Sequence, residues 1–137
     1  MNFDINYLKE IADIIFNVHS PSGYHVEINQ LLKDLLASLG YESYETNKGN
    51  VVVKVNGKSN AITRATSAHV DTLGLMVRSI NGDGTLSVTA VGGPSIPTLD
   101  GEYCRIITRD GKVYTGTILS TSPAVHVFKD ASTAPRN

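Results

Sequence analysis

The chain is poor in cysteine, lacks any long hydrophobic run and has no excess of either charge. Its one cysteine, Cys104, excludes an intramolecular disulfide and a cysteine-based zinc or iron-sulfur cluster. The chain has twelve Lys and Arg residues and thirteen Asp and Glu residues. This balance gives no excess of positive charge for binding nucleic acid or an anionic membrane. The first ten residues are unlike a signal peptide, and no later stretch is long enough to span a bilayer. These absences predict a cytoplasmic protein whose partner is neutral or small, with no nucleic acid and no membrane contact.

The first 40 residues have the apolar spacing of two helices. Apolar side chains at steps of three and four predict an amphipathic helix from Asp4 to Asn17, with Asn2 or Asp4 as its N-cap. After the sequence "HSPSG", the same spacing predicts a second helix over residues 28–39. Gly40 supplies the left-handed residue at which that helix ends.

Beyond Gly40 the apolar period changes to two, which predicts strands. The segments "YESYET", "VVVKV" and "AITRATSAHV" predict three strands, the third delivering its last residues to the carboxyl edge of an open sheet. From residue 72 onward, short strands alternate with tight glycine turns, a pattern typical of a small barrel or sandwich. The predicted fold class is therefore α/β, with an α/β layer in residues 1–71 and an incomplete small β domain, a barrel or a sandwich, in residues 72–137. No pattern completes the β part, so the chain is expected to stop inside a domain.

Residues 67–74, "SAHVDTLG", place two polar side chains at the end of a predicted buried strand. Residues two apart in a strand face the same side, so His69 and Asp71 share a surface while Val70 faces away. A metal-binding histidine usually donates its other ring N–H to a carboxylate, and Asp71 is placed to be that carboxylate. The alternative is a strand-end histidine without a metal, with Asp71 capping the following turn.

Other polar residues are weaker candidates for chemistry. The remaining histidines have no partner at ligand spacing, and they are expected to cap, pack or face solvent: His19, His25 and His126. Cys104 alternates with strand residues and is expected to be a small buried hydrophobe. Asp83, Asp100 and Asp110 each precede or follow glycine and are typical turn residues. A carbohydrate hydrolase would need two carboxylates that flank a sugar bond, and no pair is placed to do this.

The order of these motifs resembles the N-terminal part of the deblocking and glutamyl aminopeptidases. The resemblance runs through "NKGNVVVKVNG", "SAHVDTLGLMV", "GDGTLSVTAVGG", "GEYCRIITRDGKVYTGTIL" and "VHVFKDA", and it covers essentially the whole chain. The most specific part is "AHVDTLG" followed by the glycine-rich β segment, and the resemblance implies that residues 72–137 are the first part of a small β-barrel insert domain. These proteins are exopeptidases with two metal ions, and they assemble into tetrahedral particles.

The resemblance implies roles for the His-x-Asp pair. In that family the histidine is a metal ligand and the aspartate is a catalytic residue behind it, and these roles fall on His69 and Asp71. The implied cofactors are two divalent ions, zinc or cobalt, and the implied partners are a peptide substrate and further copies of the chain, from a dimer up to a dodecamer. Thr72 stands where many members have glutamate, which favours the deblocking-type branch.

The sequence also departs from the family pattern. The second metal site, a bridging aspartate, a Glu-Glu pair with the general base and a distal histidine lie downstream in that family, and this sequence contains no Glu-Glu pair. A catalytic zinc ion needs three or more protein ligands. The predicted function is thus a metal-dependent aminopeptidase for the full-length protein, with these 137 residues inactive by themselves. The alternative is a non-catalytic β module that associates with copies of itself.

Overall fold

A computed structural model describes residues 4–59, 61–119 and 126–127 of the chain. The chain divides into two compact units, Met1–Gly92 and Gly93–Asn137. The domain boundary predicted after residue 71 stays a prediction, because this division measures compactness alone.

Both predicted helices are present in the first unit. Helix α1 spans Ile5–Phe16 and helix α2 spans Val26–Ser38. Asp4 caps α1, because its Oδ1 accepts hydrogen bonds from the backbone N–H groups of Asn6 at 3.0 Å and Tyr7 at 3.1 Å. These bonds satisfy two of the four amides that a helix leaves unpaired at its start. The predicted N-cap is therefore confirmed at Asp4.

The second helix ends as its sequence predicts. Gly40 has a φ of +79°, the left-handed conformation that a residue with a Cβ atom avoids. The amide of Gly40 donates to the Ala37 carbonyl and that of Tyr41 donates to the Leu36 carbonyl, both at 2.9 Å. This pair of bonds is the Schellman arrangement, and it satisfies two carbonyls at the end of the helix.

Three antiparallel hairpins make up the strands of the described residues. Each hairpin joins strands that are neighbours in sequence through a short turn, as the glycine-rich turn sequences predict. The strands are β1 (Ser43–Glu45) with β2 (Val51–Val53), β3 (Gly74–Ile80) with β4 (Leu86–Val91), and β5 (Tyr103–Ile107) with β6 (Val113–Thr117).

The strand predicted over residues 61–70 is absent, and that prediction is wrong for the described chain. Residues 61–69 are exposed and form no ladder with another strand. Thr72 makes an isolated parallel bridge with Pro21. A strand exists only where a neighbour accepts and donates its backbone hydrogen bonds, and the described residues place no such neighbour beside this segment. The carboxyl edge of an open sheet, where His69 was expected, is therefore not formed here.

The buried centre of the first unit is small. Helix α2 packs against β1 and β2, and Ile28 on its inner face is 1% exposed. The Asn29 side chain beside it is also buried and donates from Nδ2 to the Gly49 carbonyl at 2.8 Å. That bond satisfies a buried amide which would otherwise destabilise the fold.

In the second unit, a short 3₁₀ turn at Ile96–Thr98 precedes the β5–β6 hairpin. Two backbone bonds between residues 101–102 and Ile118 extend the hairpin ladder. The predicted strand around "VHVF" falls mostly outside the described residues, and His126 and Val127 lie in a turn. The described part of the chain thus combines two α-helices with three two-stranded sheets, and the barrel insert stays a prediction. None of the described helices is long and apolar enough to cross a bilayer.

Candidate metal-binding site

The His-x-Asp segment lies against the loop that joins α1 to α2. The Ser20 hydroxyl donates to the Val70 carbonyl at 2.7 Å, and the Thr72 amide donates to the Ser20 carbonyl at 2.8 Å. Ser20 is only 2% exposed, and these two bonds satisfy its buried hydroxyl and carbonyl groups. The loop therefore fixes the backbone on both sides of Asp71.

His69 and Asp71 face each other, as their spacing predicts. His69 Nδ1 lies 3.0 Å from Asp71 Oδ1, within hydrogen-bond distance. A carboxylate accepts this bond, so the proton lies on Nδ1 in the neutral ring and the lone pair on Nε2. Nε2 has no hydrogen-bond partner among the residues that the structure describes. The ring thus presents one nitrogen that can bind a cation.

The Asp71 carboxylate is held at both of its oxygens. The Ser22 hydroxyl donates to Oδ2, while Oδ1 accepts from the histidine ring. The Ser22 hydrogen bond first, and the His69 ring second, hold the pKa of the Asp71 carboxyl below its ordinary value of 3.8. Asp71 is therefore ionised at neutral pH and able to orient the imidazole.

Both side chains are accessible. The His69 side chain is 86% exposed and that of Asp71 is 53% exposed. They lie at an open hollow of about 330 Å³, whose apolar wall includes Ile15 and Phe16 of α1. An exposed contact of this kind adds little stability to the fold. Both side chains are therefore accessible to a ligand.

The pair fits part of a metal site. An imidazole with one nitrogen held by a carboxylate and the other open is the usual form of a metal-binding histidine. No cluster of three or more His, Cys, Asp or Glu residues able to hold a metal occurs in the described part of the chain. His69 can therefore contribute one ligand, and the other ligands of a catalytic ion are not among these residues.

The weaker candidates lie elsewhere. His25 begins α2, with Nε2 3.8 Å from Glu45 Oε1, and His19 is an exposed loop residue. Asp83 and Asp110 make turn hydrogen bonds, as predicted: the Thr85 amide donates to Asp83, and the Thr108 hydroxyl donates to Asp110. Cys104 on β5 is half-buried rather than fully buried, because its neighbour across the ladder is Gly116, which has no side chain to cover it.

Sequence patterns did not reveal Ser20 and Ser22. Ser22 contacts Asp71 across 49 residues of chain, so no local spacing links them. The sequence "HSPSG" gave only the interruption between two helices. The close approach of this loop to the His-x-Asp segment is a tertiary contact, which local periodicity does not encode.

Comparison with known proteins bears on this arrangement. The family model of the M42 glutamyl aminopeptidases matches residues 49–137, which include the His-x-Asp pair and both later hairpins. The chain belongs to the M42 glutamyl aminopeptidase family. Peptidases of the M42 family are generally metal-dependent. The family predicted from the motifs is therefore confirmed.

Three curated relatives are between 32% and 39% identical to this chain over the aligned residues. The chain is 39% identical to a Bacillus subtilis (strain 168) protein named "Putative aminopeptidase YhfE", over 93% of this chain and 37% of that protein. It is 36% identical to the lysyl aminopeptidase of Pyrococcus furiosus, over 71% of this chain and 28% of the relative. It is 32% identical to the glutamyl aminopeptidase of Lactococcus lactis subsp. cremoris, over 69% of this chain and 27% of that relative.

A solved aminopeptidase structure is also similar to this chain. Aminopeptidase APDkam598 from the archaeon Desulfurococcus kamchatkensis superposes with a TM-score of 0.73 at 29% identity, over 90% of this chain and 34% of that structure. The match extends the M42 assignment from sequence to a mixed α/β fold. The chain spans about a third of the length of the proteins it matches.

Proposed function

We propose that this chain forms part of a metal-dependent aminopeptidase, in which His69 binds a divalent ion. The observation that carries the proposal is the contact between His69 Nδ1 and Asp71 Oδ1 inside the segment that matches the M42 family. This contact leaves Nε2 open, as metal binding by histidine requires. The reaction is hydrolysis of the first peptide bond, with release of the N-terminal amino acid.

The two side chains have separate tasks in this proposal. His69 binds through Nε2, and Asp71 holds the proton at Nδ1 and fixes the plane of the ring. Two divalent ions, zinc or cobalt, supply activation of a water molecule and polarisation of the peptide carbonyl when they are bound. The remaining ligands and the general base would come from the two-thirds of the M42 length that this chain does not span.

Several finer features belong to the same proposal. The partners are a peptide substrate and further copies of the chain, in a homo-oligomer built from dimers, and the compartment is the cytoplasm. The later strands belong to a β-barrel insert. Thr72 favours the deblocking-type branch over a strict preference for acidic first residues.

His69→Ala in the complete gene product tests the proposal. We expect the wild-type protein to release N-terminal amino acids from an unblocked peptide and to retain divalent metal after dialysis. His69→Ala should lose at least one metal equivalent, with activity lower by two orders of magnitude or more, because a ligand is removed. Release is followed by amino-acid analysis, and metal by mass spectrometry of the dialysed protein.

A second histidine provides the control. His19 is exposed and lies outside the pair, so His19→Ala should keep wild-type metal content and activity. The proposal fails if His69→Ala retains the same metal and the same peptide hydrolysis as His19→Ala.

A further inference from the structure

The loop between α1 and α2 holds the His-x-Asp segment at several points. Ser20 bonds the backbone of Val70 and Thr72, and Pro21 bridges Thr72 in parallel. These contacts join parts of the chain that are about 50 residues apart. They hold the end of the loop beside Asp71.

Ser22 is the residue of this loop that reaches the functional pair. Its hydroxyl donates to Asp71 Oδ2, while Oδ1 accepts from His69 Nδ1. The terminal torsion of an aspartate is broad, so a carboxylate bonded at one oxygen alone can turn about that bond. Bonding at both oxygens fixes the carboxylate plane, and the plane in turn fixes the direction of the imidazole.

Glycine at position 74 allows the loop to approach this closely. A Cβ atom at Gly74 would lie 2.6 Å from the Cβ atom of Pro21, closer than two such atoms come in proteins. The proline ring is rigid, so a larger residue at position 74 would displace the loop. Pro21 precedes Ser22 directly, and the displacement would carry the hydroxyl away from Asp71.

We propose that Ser22 is a positioning residue for the metal ligand: its hydroxyl locks the Asp71 carboxylate so that His69 points Nε2 at the ion. This inference rests on the proposed function, because it takes His69 as a ligand. In this role the Ser22 hydroxyl bonds Asp71 and not the ion. It acts through Asp71 alone.

Two substitutions of Ser22 in the complete gene product test this role. Ser22→Ala removes the hydroxyl, and Ser22→Thr keeps it. Partners behind a metal-binding histidine typically change metal affinity by roughly 10- to 100-fold. We expect Ser22→Ala to weaken zinc affinity within this range, measured by competition with a chromogenic chelator, and Ser22→Thr to remain close to wild type.

Two further readouts separate positioning from loss of fold. Nitrogen-15 resonances of the His69 ring in the metal-free protein should show the Nδ1–H tautomer in wild type and a mixture of tautomers in Ser22→Ala. Turnover should fall in Ser22→Ala while KM stays unchanged, because the proposed role of Ser22 is to orient the metal ligand and not to bind the substrate. Gly74→Ala should reproduce the loss of zinc affinity, since it displaces the same loop.

Ser38→Ala is the matched control, because Ser38 is an exposed serine whose hydroxyl bonds only a helix carbonyl, that of Leu35. It should behave as wild type in every readout. The inference about Ser22 is overturned if Ser22→Ala matches Ser38→Ala in zinc affinity and tautomer while His69→Ala loses metal. Retention of full metal by His69→Ala would instead overturn the proposed function itself, so the two failures are distinct.

Discussion

At the scale of single residues, the Asp71 carboxylate holds the His69 ring through one hydrogen bond. One carboxylate oxygen takes the ring N–H and the other takes a serine hydroxyl. Without this carboxylate, the imidazole would exchange between its two tautomers and would rotate. A cation would then bind only one of several states of the ring. In the proposed metal site, the fixed carboxylate would hold the ring in one tautomer and one orientation before an ion binds.

Glu45 gives a residue-scale prediction about pH. Lys33 Nζ lies 3.2 Å from Glu45 Oε2, and this ammonium group first, with Asn29 second, holds the pKa of the Glu45 carboxyl below its ordinary value of 4.5. A lowered pKa means that the ion pair stabilises the fold above pH 4.5. That contribution is lost as the pH falls through the lowered value.

Lys33→Met should therefore raise the pKa of Glu45 towards 4.5. The carboxyl carbon resonance of Glu45, followed by NMR during an acid titration, measures this change. Lys48→Met, at an exposed lysine for which no ion pair is described, should leave the titration of Glu45 unaltered. An unchanged Glu45 titration in Lys33→Met would refute the assignment.

At the scale of elements, the start of α1 depends on one side chain. Asp4→Ala removes the acceptor for the amides of Asn6 and Tyr7, and the free energy of unfolding should fall by about 1 kcal/mol. Asp4→Asn keeps an equally good cap and should stay near the wild-type value. Urea unfolding followed by circular dichroism measures both variants, and equal loss in the two would mean that charge rather than capping matters.

Local elements could be predicted from the sequence, and non-local ones could not. Helix α2 and the turn at Gly40 follow from spacing and from one glycine, and each hairpin pairs strands that adjoin in sequence. The strand expected over residues 61–70 needed a partner from elsewhere in the fold, and it did not form. His69 and Asp71 still contact each other, at the two-residue spacing from which the sequence predicts a shared face. Ser22 came from a distant loop and left no local signal.

At the scale of the whole molecule, the described residues expose much apolar surface. In the first unit, Met76 and Ile80 on β3 are 57% and 78% exposed. The edges of the β3–β4 hairpin also carry unpaired backbone groups, a feature that favours pairing between chains. Self-association through this hairpin is therefore expected.

The 137-residue chain should sediment as a concentration-dependent mixture of oligomers in analytical ultracentrifugation. Ile80→Lys should shift it towards the monomer, because a charge replaces apolar surface. Ser79→Lys adds the same charge to an exposed polar position of the same strand and should have a smaller effect. A monomer at every concentration of the wild-type chain would count against association.

The position of bound metal tests the central claim most directly. Crystals of the complete gene product grown with zinc, and measured on both sides of the zinc absorption edge, should show an anomalous peak about 2.0–2.1 Å from His69 Nε2. The Asp71 carboxylate should accept the hydrogen bond from Nδ1, the ring nitrogen that does not bind the metal. Anomalous peaks in an active enzyme that all lie away from His69, or a peak on Nδ1, would contradict the account.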